Sequence, residues 1–423
     1  MTAARRLTAT GPFYADLAAH LSCHGPLPTP DPAWIIGAVE RSGLTGRGGA
    51  AFPTGRKLRT VAAGSRRSGA PFVVANGCEG EPAGGKDRTL LLKAPHLVLD
   101  GIVLAARAVG ARDTRLCVHE NQDDVIRTLR RALGERHAAG APGTDIEIVT
   151  VPDRYVASEE SALVHLLNGG PALPLATPPR PFEKGVRGRP TLIDNVETLA
   201  HLAMVVRHGA DWFRTAGTAD APGTTLVTLG GAVAVPGVYE VELGLSGADL
   251  LAVAGSPAEP LRAVLCGGYF GAWLRSDRFA PARITPPGLQ AAGAAMGAGI
   301  FLALPATSCP LAETARVANY LAAQSAGQCG PCRNGLPALA DALTRLALRG
   351  DRDAAATIAS VSPYVTGRGA CRHPDGAVRL IASALTEFGD DMRLHASRGP
   401  CAGLRRAPIL PVPALAARIP EKV

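Results

Sequence analysis

The stretch Phe72-Val-Val-Ala-Asn-Gly-Cys-Glu-Gly-Glu-Pro-Ala-Gly-Gly85 decides the fold, because it joins a short apolar run to a loop rich in glycine and glutamate. The run Phe72–Ala75 is apolar throughout and ends at turn residues, which predicts a buried strand. In α/β folds, ligands bind in the loops that follow the carboxyl ends of such strands. The loop Asn76–Gly85 is therefore a candidate binding site.

Helical and strand periods alternate on both sides of this strand, and the alternation predicts an α/β layer fold up to about residue 210. The predicted helices are Ala33–Ser42, Leu90–Val109, Asp123–Arg136 and Ser158–Asn168, and the further strands are Arg115–His119 and Asp145–Val151. Residues 1–30 are expected to be irregular, since they lead into the proline-rich stretch Pro26–Pro32.

The pattern changes after Gly217. A β-grasp pattern over residues 222–275 is formed by β runs at Thr224–Gly230, Gly237–Glu242 and Arg262–Cys266 and by a helix at Gly247–Ala254. From Leu311 onward the apolar spacing is helical, and it predicts a helical bundle over residues 310–400. The predicted helices of the bundle are Ala312–Ala323, Leu336–Arg349, Asp351–Val361 and Gly376–Phe388.

The composition indicates a folded chain of several domains. At about 100–200 residues per domain, 423 residues predict two to four domains. Charged residues make up 19% and hydrophobic residues 47%, which excludes disorder for most of the chain. The net charge of +8 fits an acidic protein partner. Basic tracts such as Arg127–Arg131 lack interleaved aromatic residues, so no nucleic acid is expected to bind.

No membrane-spanning segment is expected. The uncharged stretch Ala291–Ala312 is mostly alanine and glycine and contains Pro305 and Pro310, unlike a spanning helix. The first 30 residues have no apolar core of a signal peptide, so we expect a cytoplasmic protein. There, the nine cysteines are expected to be thiols or metal ligands.

A first glycine-rich loop spans Gly43–Gly55, and its backbone N–H groups are suited to a phosphate, with charge added by Arg47 and Lys57. The pattern Gly46-x-Gly48-x-x-Ala51 resembles a dinucleotide fingerprint, but a helix precedes it instead of a strand. Taken alone, the loop fits either a nucleotide or flavin phosphate or a purely structural turn.

In the second loop, Glu79 and Glu81 are placed to accept hydrogen bonds from ribose hydroxyls. The alternative is a loop in which Lys86 and Arg88 form salt bridges with the two glutamates.

A cysteine pattern, Cys329-Gly-Pro-Cys332 with Cys371 39 residues later, suits an iron–sulfur cluster, a zinc ion or a redox dithiol. Cys117 and Cys266 lie in apolar strands and are expected to be buried. The sequence assigns no role to Cys23, Cys309 and Cys401.

Five motifs occur in a fixed order between about residues 40 and 390: GLTGRGGAAFPTGRK, NGCEGEP followed by KDR, YVASEESAL, GRPTLIDNVETLA and SAGQCGPCRNG. In this order they resemble the NADH-binding flavoprotein subunit of respiratory complex I. The same module occurs in NAD-reducing hydrogenases and formate dehydrogenases.

The resemblance implies a Rossmann-like FMN- and NADH-binding α/β domain over residues 31–215, a β-grasp (SLBB-like) domain over 222–275 and a C-terminal helical iron–sulfur domain over 310–400. It implies a soluble NADH dehydrogenase-type subunit that oxidises NAD(P)H through FMN. Electrons would pass through an iron–sulfur cluster to a ferredoxin-like or thioredoxin-like iron–sulfur partner, with a quinone or a ferredoxin as acceptor.

The resemblance also implies the site, in which no residue acts as nucleophile or general base. Phe52 would stack on the adenine, and the acidic pair would lie near flavin and NADH. The implied FMN and NADH contacts are Gly46, Arg47, Gly48, Gly49, Phe52, Lys57, Asn76, Glu79, Glu81, Tyr155, Glu159, Glu160, Asn195 and Thr198. The implied cluster ligands are Cys329, Cys332 and Cys371.

One departure from the family pattern affects the cluster. Ala326 stands where the family has its first cysteine ligand. His373 or Asp375 is a candidate substitute; otherwise the expected 4Fe-4S cluster becomes a 3Fe-4S cluster, keeps an open iron or is lost.

Three further departures affect the flavin site. Cys78 replaces an aspartate of the flavin loop, Ser158 replaces a glycine expected against the flavin ring, and Asp194 replaces an asparagine. These changes leave a rival interpretation open, in which the chain is a non-catalytic relative that binds a cluster or flavin as an adaptor.

Overall fold

The computed structural model of the chain describes residues 6–7 and 14–414, which form three successive segments. The first segment is built on four parallel strands in the order β3-β2-β1-β4. Their bounds are β1 Phe72–Asn76, β2 Asp113–His119, β3 Glu147–Val151 and β4 Thr191–Asn195. The predicted α/β layer is confirmed.

Nine helices described in the first segment cover or extend this sheet: α1 Leu17–His24, α2 Pro32–Ser42, α3 Thr54–Ser68, α4 Lys86–Lys93, α5 Pro95–Val109, α6 Asp123–Ala138, α7 Glu160–Leu167, α8 Val196–His208 and α9 Ala210–Arg214. A 3₁₀ turn, Tyr155–Ser158, precedes α7. Helices α5 and α8 pack closely because Gly101 has no side chain: a Cβ there would lie 2.1 Å from the Leu199 carbonyl oxygen.

Two predictions for this segment are wrong, and helices α8 and α9 and strand β4 were not predicted. The helix predicted at Leu90–Val109 is two helices, α4 and α5, bent by 98°, because Pro95 lacks an N–H and excludes a continuous helix. Helix α1 lies within the supposedly irregular residues 1–30, where Asp16 caps it by accepting the Ala19 N–H at 2.8 Å. Helix α3 was not predicted at all.

The second segment contains a mixed five-stranded sheet in the order β6-β5-β9-β7-β8. Its strands are β5 Thr224–Gly231, β6 Gly237–Glu242, β7 Leu261–Cys266, β8 Ala272–Arg275 and β9 Ile300–Pro305, and its helices are α10 Gly247–Val253, α11 Ser276–Phe279 and α12 Pro286–Ala292. The central strand β9 lies beyond the predicted limit of residue 275, so the predicted boundary is too short for the sheet.

The third segment is helical: α13 Pro310–Ala323, α14 Leu336–Arg349, α15 Ala354–Val365, α16 His373–Glu387 and α17 Gly389–Arg398. Helix α15 runs to Val365 instead of Val361, and α17 was not predicted. The sheet and the bundle share a core: the Trp273 indole N–H donates to Thr314 Oγ1 at 3.0 Å, and the Trp273 ring packs edge-on against Phe388.

Within residues 6–7 and 14–414, no single helix has the length and apolar composition needed to cross a membrane, although the bent pair α4–α5 passes that test by length and composition. The uncharged stretch Ala291–Ala312 holds the end of α12, strand β9 and the start of α13.

Candidate functional site

The candidate site lies at the carboxyl edge of the four-stranded sheet, between β1 and β4. The chain leaves β1 toward β2 and β3 on one side and returns to β4 on the other, which creates the crevice where α/β sheets bind ligands. Asn76 and Asn195 end the two strands in register. Asn195 Oδ1 caps α8 by accepting the Glu197 N–H at 3.0 Å, and its amide donates to the Asn76 carbonyl at 3.4 Å.

The first glycine loop closes over this edge. The Gly46 N–H donates to the Phe52 carbonyl at 2.9 Å, and a Cβ at Gly48 would lie 3.4 Å from Asn195 Cβ. Gly49 has φ +111°, a conformation that favours glycine. The loop leads into α3, which begins without a side-chain cap, so its N-terminus is suited to an anion. The Phe52 ring is 45% exposed and therefore accessible to a ligand.

Arg47 does not extend its side chain toward a ligand. Its backbone N–H donates to Thr198 Oγ1 at 2.8 Å, and its buried guanidinium donates to the Thr224 carbonyl at 3.1 Å. Both partners lie inside the protein. The guanidinium charge, which was expected to face a phosphate, is therefore turned inward. Arg47 and Thr198 fix the loop to α8 and to β5.

Lys57, the second cation expected at the phosphate, lies in the first turn of α3. Its Nζ lies 3.1 Å from Asp194 Oδ1 and also donates to the Ile193 carbonyl, while its side chain is 22% exposed. Burial raises the pKa of Asp194, and the Lys57 ammonium opposes that shift. The aspartate that replaces the family asparagine therefore takes up part of the Lys57 charge.

The two glutamates of the second loop have different surroundings. Glu79 Oε2 accepts the Asp87 N–H at 3.3 Å, whereas its buried Oε1 has no hydrogen-bond partner among the described residues. Burial, followed by the Asp87 charge, raises the pKa of Glu79 to about 8. Glu81 accepts the Tyr269 N–H at 2.9 Å and the Tyr155 hydroxyl, and burial raises its pKa to about 7.

The alternative for this loop, in which Lys86 and Arg88 form salt bridges with Glu79 and Glu81, is wrong, because both cations pair with other residues. Arg88 pairs with Asp124 at the surface, and Lys86 lies in a buried ion cluster. The Lys86 ammonium is 2.8 Å from Asp87 Oδ1 and 3.0 Å from Glu197 Oε2. Glu197 in turn accepts the Leu226 N–H at 2.8 Å.

The pairing of Lys86 with Glu197 was not predicted from the sequence. Lys86 lies in the motif KDR and Glu197 in the motif NVET. Both motifs reach the same sheet edge, so their opposite charges could have indicated a buried ion pair.

Tyr155 connects the second loop to the rest of the molecule. Its ring packs edge-on against Phe270, His373 and Tyr320, with centroids 4.8, 5.5 and 6.1 Å apart. These three rings come from the second and third segments of the chain. Tyr155 therefore lies where the four-stranded sheet, the five-stranded sheet and the helical bundle meet.

The two residues after Ser158 serve the start of α7. Glu159 caps the helix by accepting the N–H groups of Ser161 and Ala162 at 2.9 and 3.2 Å. Glu160 is half-exposed and pairs with Arg180 at 3.4 Å. The structure thus gives both glutamates protein partners.

Ser158 turns its hydroxyl toward the second loop. Ser158 Oγ donates to the Tyr155 carbonyl at 3.2 Å. A Cβ at Gly80 would lie 2.6 Å from Ser158 Oγ, so only glycine fits there. The Asn76 amide donates to the Ser158 carbonyl at 2.9 Å, which holds this turn against the end of β1. Cys78, beside them, is a buried thiol whose pKa is raised by burial.

The three cysteines of the predicted cluster, Cys329, Cys332 and Cys371, lie near one another in the helical segment. Burial, together with the neighbouring thiols of Cys329 and Cys371, raises the pKa of Cys332 to about 12. Gly327 has φ +68°, which turns the chain into the loop, and the Arg333 N–H donates to the Cys329 carbonyl at 3.0 Å.

The two candidate substitute ligands differ in what they already bind. Asp375 accepts the Gly367 N–H at 2.6 Å and pairs with Arg372 at 3.2 Å. His373 is buried, with Nε2 2.7 Å from the Leu321 carbonyl, so Nε2 carries the proton. Its Nδ1 is then an acceptor, and it has no hydrogen-bond partner among the described residues.

Two family models match separate parts of the chain. Residues 39–204 match the Nuo51 FMN-binding domain, and residues 312–395 match the NADH-ubiquinone oxidoreductase-F iron–sulfur binding region. An NADH-quinone oxidoreductase subunit of Mycobacterium bovis is 33% identical over 393 residues, which are 88% of this chain and 87% of that protein. The chain belongs to the family of Nuo51-type NADH-quinone oxidoreductase subunits.

Two further relatives extend the comparison. The NADP-reducing hydrogenase subunit HndC of Solidesulfovibrio fructosivorans is 28% identical, covering 88% of this chain and 78% of that protein. A crystal structure of NAD+-reducing NiFe hydrogenase in the H2-reduced state superposes with a TM-score of 0.81 at 30% identity. The match covers 87% of this chain and 63% of the hydrogenase chain, so this chain spans less than two thirds of that protein.

Membership in this family assigns an FMN-binding domain and an iron–sulfur binding region to the chain, together with NADH as substrate. The described residues fit the flavin. The first glycine loop lies over the crevice between β1 and β4, and the buried Glu79 Oε1 has no hydrogen-bond partner among these residues. They also fit a cluster, because three thiols converge beside α14 and α16.

Proposed function

We propose that this chain oxidises NAD(P)H through FMN bound at the edge of the four-stranded sheet and passes electrons through an iron–sulfur cluster to a ferredoxin-like or thioredoxin-like iron–sulfur protein. The observation that carries the proposal is the position of Tyr155. Its hydroxyl binds Glu81 of the second loop, and its ring packs against His373, two residues after Cys371. The candidate flavin and cluster sites are thus in contact through side chains.

The first loop has the task of binding phosphate. We assign this to the backbone of Gly46, Gly48 and Gly49 and to the uncapped start of α3, with Lys57 in the first turn of that helix. Arg47 and Thr198 hold the loop in place. Phe52, exposed at the loop tip, is assigned to the adenine of NADH.

The second loop has the task of orienting the ring system and the ribose. Bound FMN supplies the conversion of a hydride into two single electrons. Glu79 Oε1, which has no protein partner among the described residues, is assigned to a ligand hydroxyl. Asn76 and Asn195 shape the floor of the site, and Glu159 and Glu160 fix the turn beside it.

For the iron–sulfur site we propose Cys329, Cys332 and Cys371 as the protein ligands. Asp375 already accepts one hydrogen bond and pairs with Arg372, so it is the poorer candidate for a fourth ligand. His373 is the better candidate, because its Nδ1 faces no protein donor among the described residues and the Leu321 carbonyl on Nε2 orients the ring as in a metal-bound histidine. We therefore propose three cysteine ligands. The fourth iron is either bound by His373 or has no protein ligand and is lost on isolation, which leaves a 3Fe-4S cluster.

We propose domain names that follow these tasks: a Rossmann-like FMN domain for 31–215, an SLBB-like β-grasp domain that begins at 222 and includes β9, and a helical iron–sulfur domain for 310–400. The net charge of +8 supports an acidic partner. No disulfide joins any of the nine cysteines, all of which the structure describes, and this fits the proposed cytoplasmic location.

A second function, a non-catalytic adaptor, is favoured by one observation. Lys57 pairs with Asp194, so part of its charge is not available to a phosphate. A visible spectrum of anaerobically purified protein decides between the two functions. Flavin bands that bleach on addition of NADH or NADPH support the oxidoreductase; protein that takes up no flavin after incubation with FMN supports the adaptor.

A further inference from the structure

A second group of metal-ligating side chains lies in the helical segment, outside the flavin and iron–sulfur sites. It consists of Cys309, His395 and Cys401, whose ligand atoms all lie within 4.8 Å of one another. Cys309 caps the start of α13, His395 is in the last turn of α17, and Cys401 follows that helix. Cys309 and His395 are buried.

The His395 ring is held in a tautomer suited to a metal. Its Nδ1 is 3.1 Å from the Ala347 carbonyl, which only accepts, so Nδ1 carries the proton. The lone pair is therefore on Nε2, which lies 3.8 Å from Cys309 Sγ and accepts the Cys401 N–H at 3.2 Å. Metal-bound histidines are oriented in the same way, by a backbone carbonyl on the other ring nitrogen.

Two glycines allow the three ligand-bearing segments to approach. A Cβ at Gly350 would lie 2.2 Å from the His395 carbonyl oxygen, and φ at Gly350 is +67°. A Cβ at Gly403 would lie 2.7 Å from the Cys309 backbone nitrogen. The backbone is therefore built to bring the end of α17 and the turn after it onto the start of α13.

The chemistry of the three donors indicates which metal they suit. Burial, together with the neighbouring thiol of Cys401, raises the pKa of Cys309 to about 12. Two thiols and one neutral imidazole nitrogen are soft and borderline donors, the set that zinc prefers. A tetrahedral zinc with Zn–S of about 2.3 Å and Zn–N of about 2.0 Å requires about 3.6 Å between sulfur and nitrogen, close to the observed separation.

We propose that Cys309, His395 and Cys401 bind a zinc ion, with water in the fourth position. A cavity of about 480 Å³ adjoins Cys309 and gives room for that water. On binding, Nε2 exchanges the Cys401 N–H for the metal, and both thiols lose their protons. The ion anchors the segment after α17, which crosses α13 where Glu313 accepts the Ile409 and Leu410 N–H groups.

The test measures zinc in the full-length protein with its iron–sulfur cluster in place. Zinc per chain is determined by mass spectrometry, and X-ray absorption at the zinc edge identifies the ligands without interference from iron. We expect about one zinc per chain, with two sulfurs at about 2.3 Å and a nitrogen at about 2.0 Å. Cys401→Ser should weaken zinc binding at least about 10-fold, whereas the exposed control Cys23→Ser should not.

Several outcomes overturn the proposal. One is wild-type protein that, reduced and incubated with zinc, retains no more of the metal than Cys401→Ser. Another is a spectrum with three sulfurs together with loss of zinc in Cys329→Ser, since zinc then occupies the iron–sulfur ligands. A disulfide between Cys309 and Cys401 in protein purified under reducing conditions is a third. The absorption spectrum of the wild type decides the question even where a variant fails to fold.

Discussion

The phenolic hydroxyl of Tyr155 donates to Glu81 in the second loop, beside the candidate flavin site. The ring of the same tyrosine packs against His373, which is close to the candidate cluster ligand Cys371. The Glu81 carboxylate accepts the Tyr269 N–H as well, at 2.9 Å. The Glu81 carboxylate thus joins the first segment to the second, and the Tyr155 ring extends this connection to His373 of the third segment. We interpret Glu81 as the group that fixes the distance between the two candidate cofactor sites.

Replacing Tyr155 by phenylalanine should therefore destabilise the protein in a pH-dependent way. The lost hydrogen bond to ionised Glu81 should lower the free energy of unfolding by about 1.5–3 kcal/mol at pH 8. The pKa of Glu81 is about 7, so at pH 6 the carboxyl is mostly protonated and the loss should be smaller. Urea unfolding at both pH values measures this, with the exposed Tyr364→Phe as control. Equal losses at the two pH values would contradict the assignment.

Glu79→Ala should weaken binding of FMN or NADH without removing a major protein contact. Its Oε1 has no partner among the described residues, and its pKa of about 8 leaves the carboxyl mostly neutral at pH 7. A hydrogen bond between neutral groups contributes about 0.5–1.5 kcal/mol, or about 2- to 10-fold in affinity. Flavin content and NADH kinetics give the readout, and the surface variant Glu259→Ala serves as control. Wild-type values for Glu79→Ala would remove this residue from the site.

Lys86→Met should destabilise far more than Arg88→Met, although the two residues lie in one motif. The Lys86 ammonium is buried between Asp87 and Glu197, and removing one member of such a cluster costs about 3–5 kcal/mol. Arg88 pairs with Asp124 at the surface, where a pair contributes about 0–1 kcal/mol. Urea unfolding of both variants tests this difference; similar values for both would show that the buried cluster has little effect on stability.

Three of the four parallel strands were predictable because each contains a short apolar run near turn residues, whereas β4, Thr191-Leu-Ile-Asp-Asn195, was not predicted because only two of its residues are apolar. Phe72–Ala75 became β1 with one residue added. Strand β9 was missed, although Ile300–Pro305 is fully buried, because the alanine- and glycine-rich residues before it carry no turn pattern that separates a strand from a loop.

The motifs indicated which residues gather at the site but not which way each side chain turns. Arg47 was expected at a phosphate, but the carbonyl that binds its guanidinium belongs to Thr224, 177 residues away. Glu81 was expected at a ribose, and the amide it accepts belongs to Tyr269, 188 residues away. Such partners come from another segment of the chain, and nothing in the local sequence specifies them.

Ser158→Gly should raise flavin occupancy if the serine restricts the space beside the ring. Ser158 Oγ now lies against Gly80 and donates to the Tyr155 carbonyl, so glycine would free the turn to move toward the ligand. FMN per chain, measured after equilibration with excess FMN, gives the readout, and the nearby Ser161→Ala, which affects the start of α7, is the control. Unchanged or lower occupancy would mean that the turn has been rebuilt around the serine.

Ala326→Cys should convert the cluster from 3Fe-4S to a stable 4Fe-4S form. A cubane needs a ligand on each of four irons, and the described cysteines of this region, Cys329, Cys332 and Cys371, hold three. Gly327, with φ +68° and open space around it, keeps the turn that would bring a thiol at position 326 to the open corner. Iron per chain should rise from about 3 to about 4, and the electron paramagnetic resonance signal of the oxidised 3Fe-4S form should disappear.

The matched control for this conversion is Ser325→Cys, which adds a thiol one residue earlier, at a buried position. It should leave both the iron content and the spectrum unchanged, because a thiol out of register does not reach the fourth iron. Wild-type protein that already holds four irons, and loses one in His373→Ala, would instead identify His373 Nδ1 as the fourth ligand. If neither the wild type nor Ala326→Cys takes up iron on anaerobic reconstitution, the three cysteines are structural remnants. The adaptor function would then be the better description of the chain.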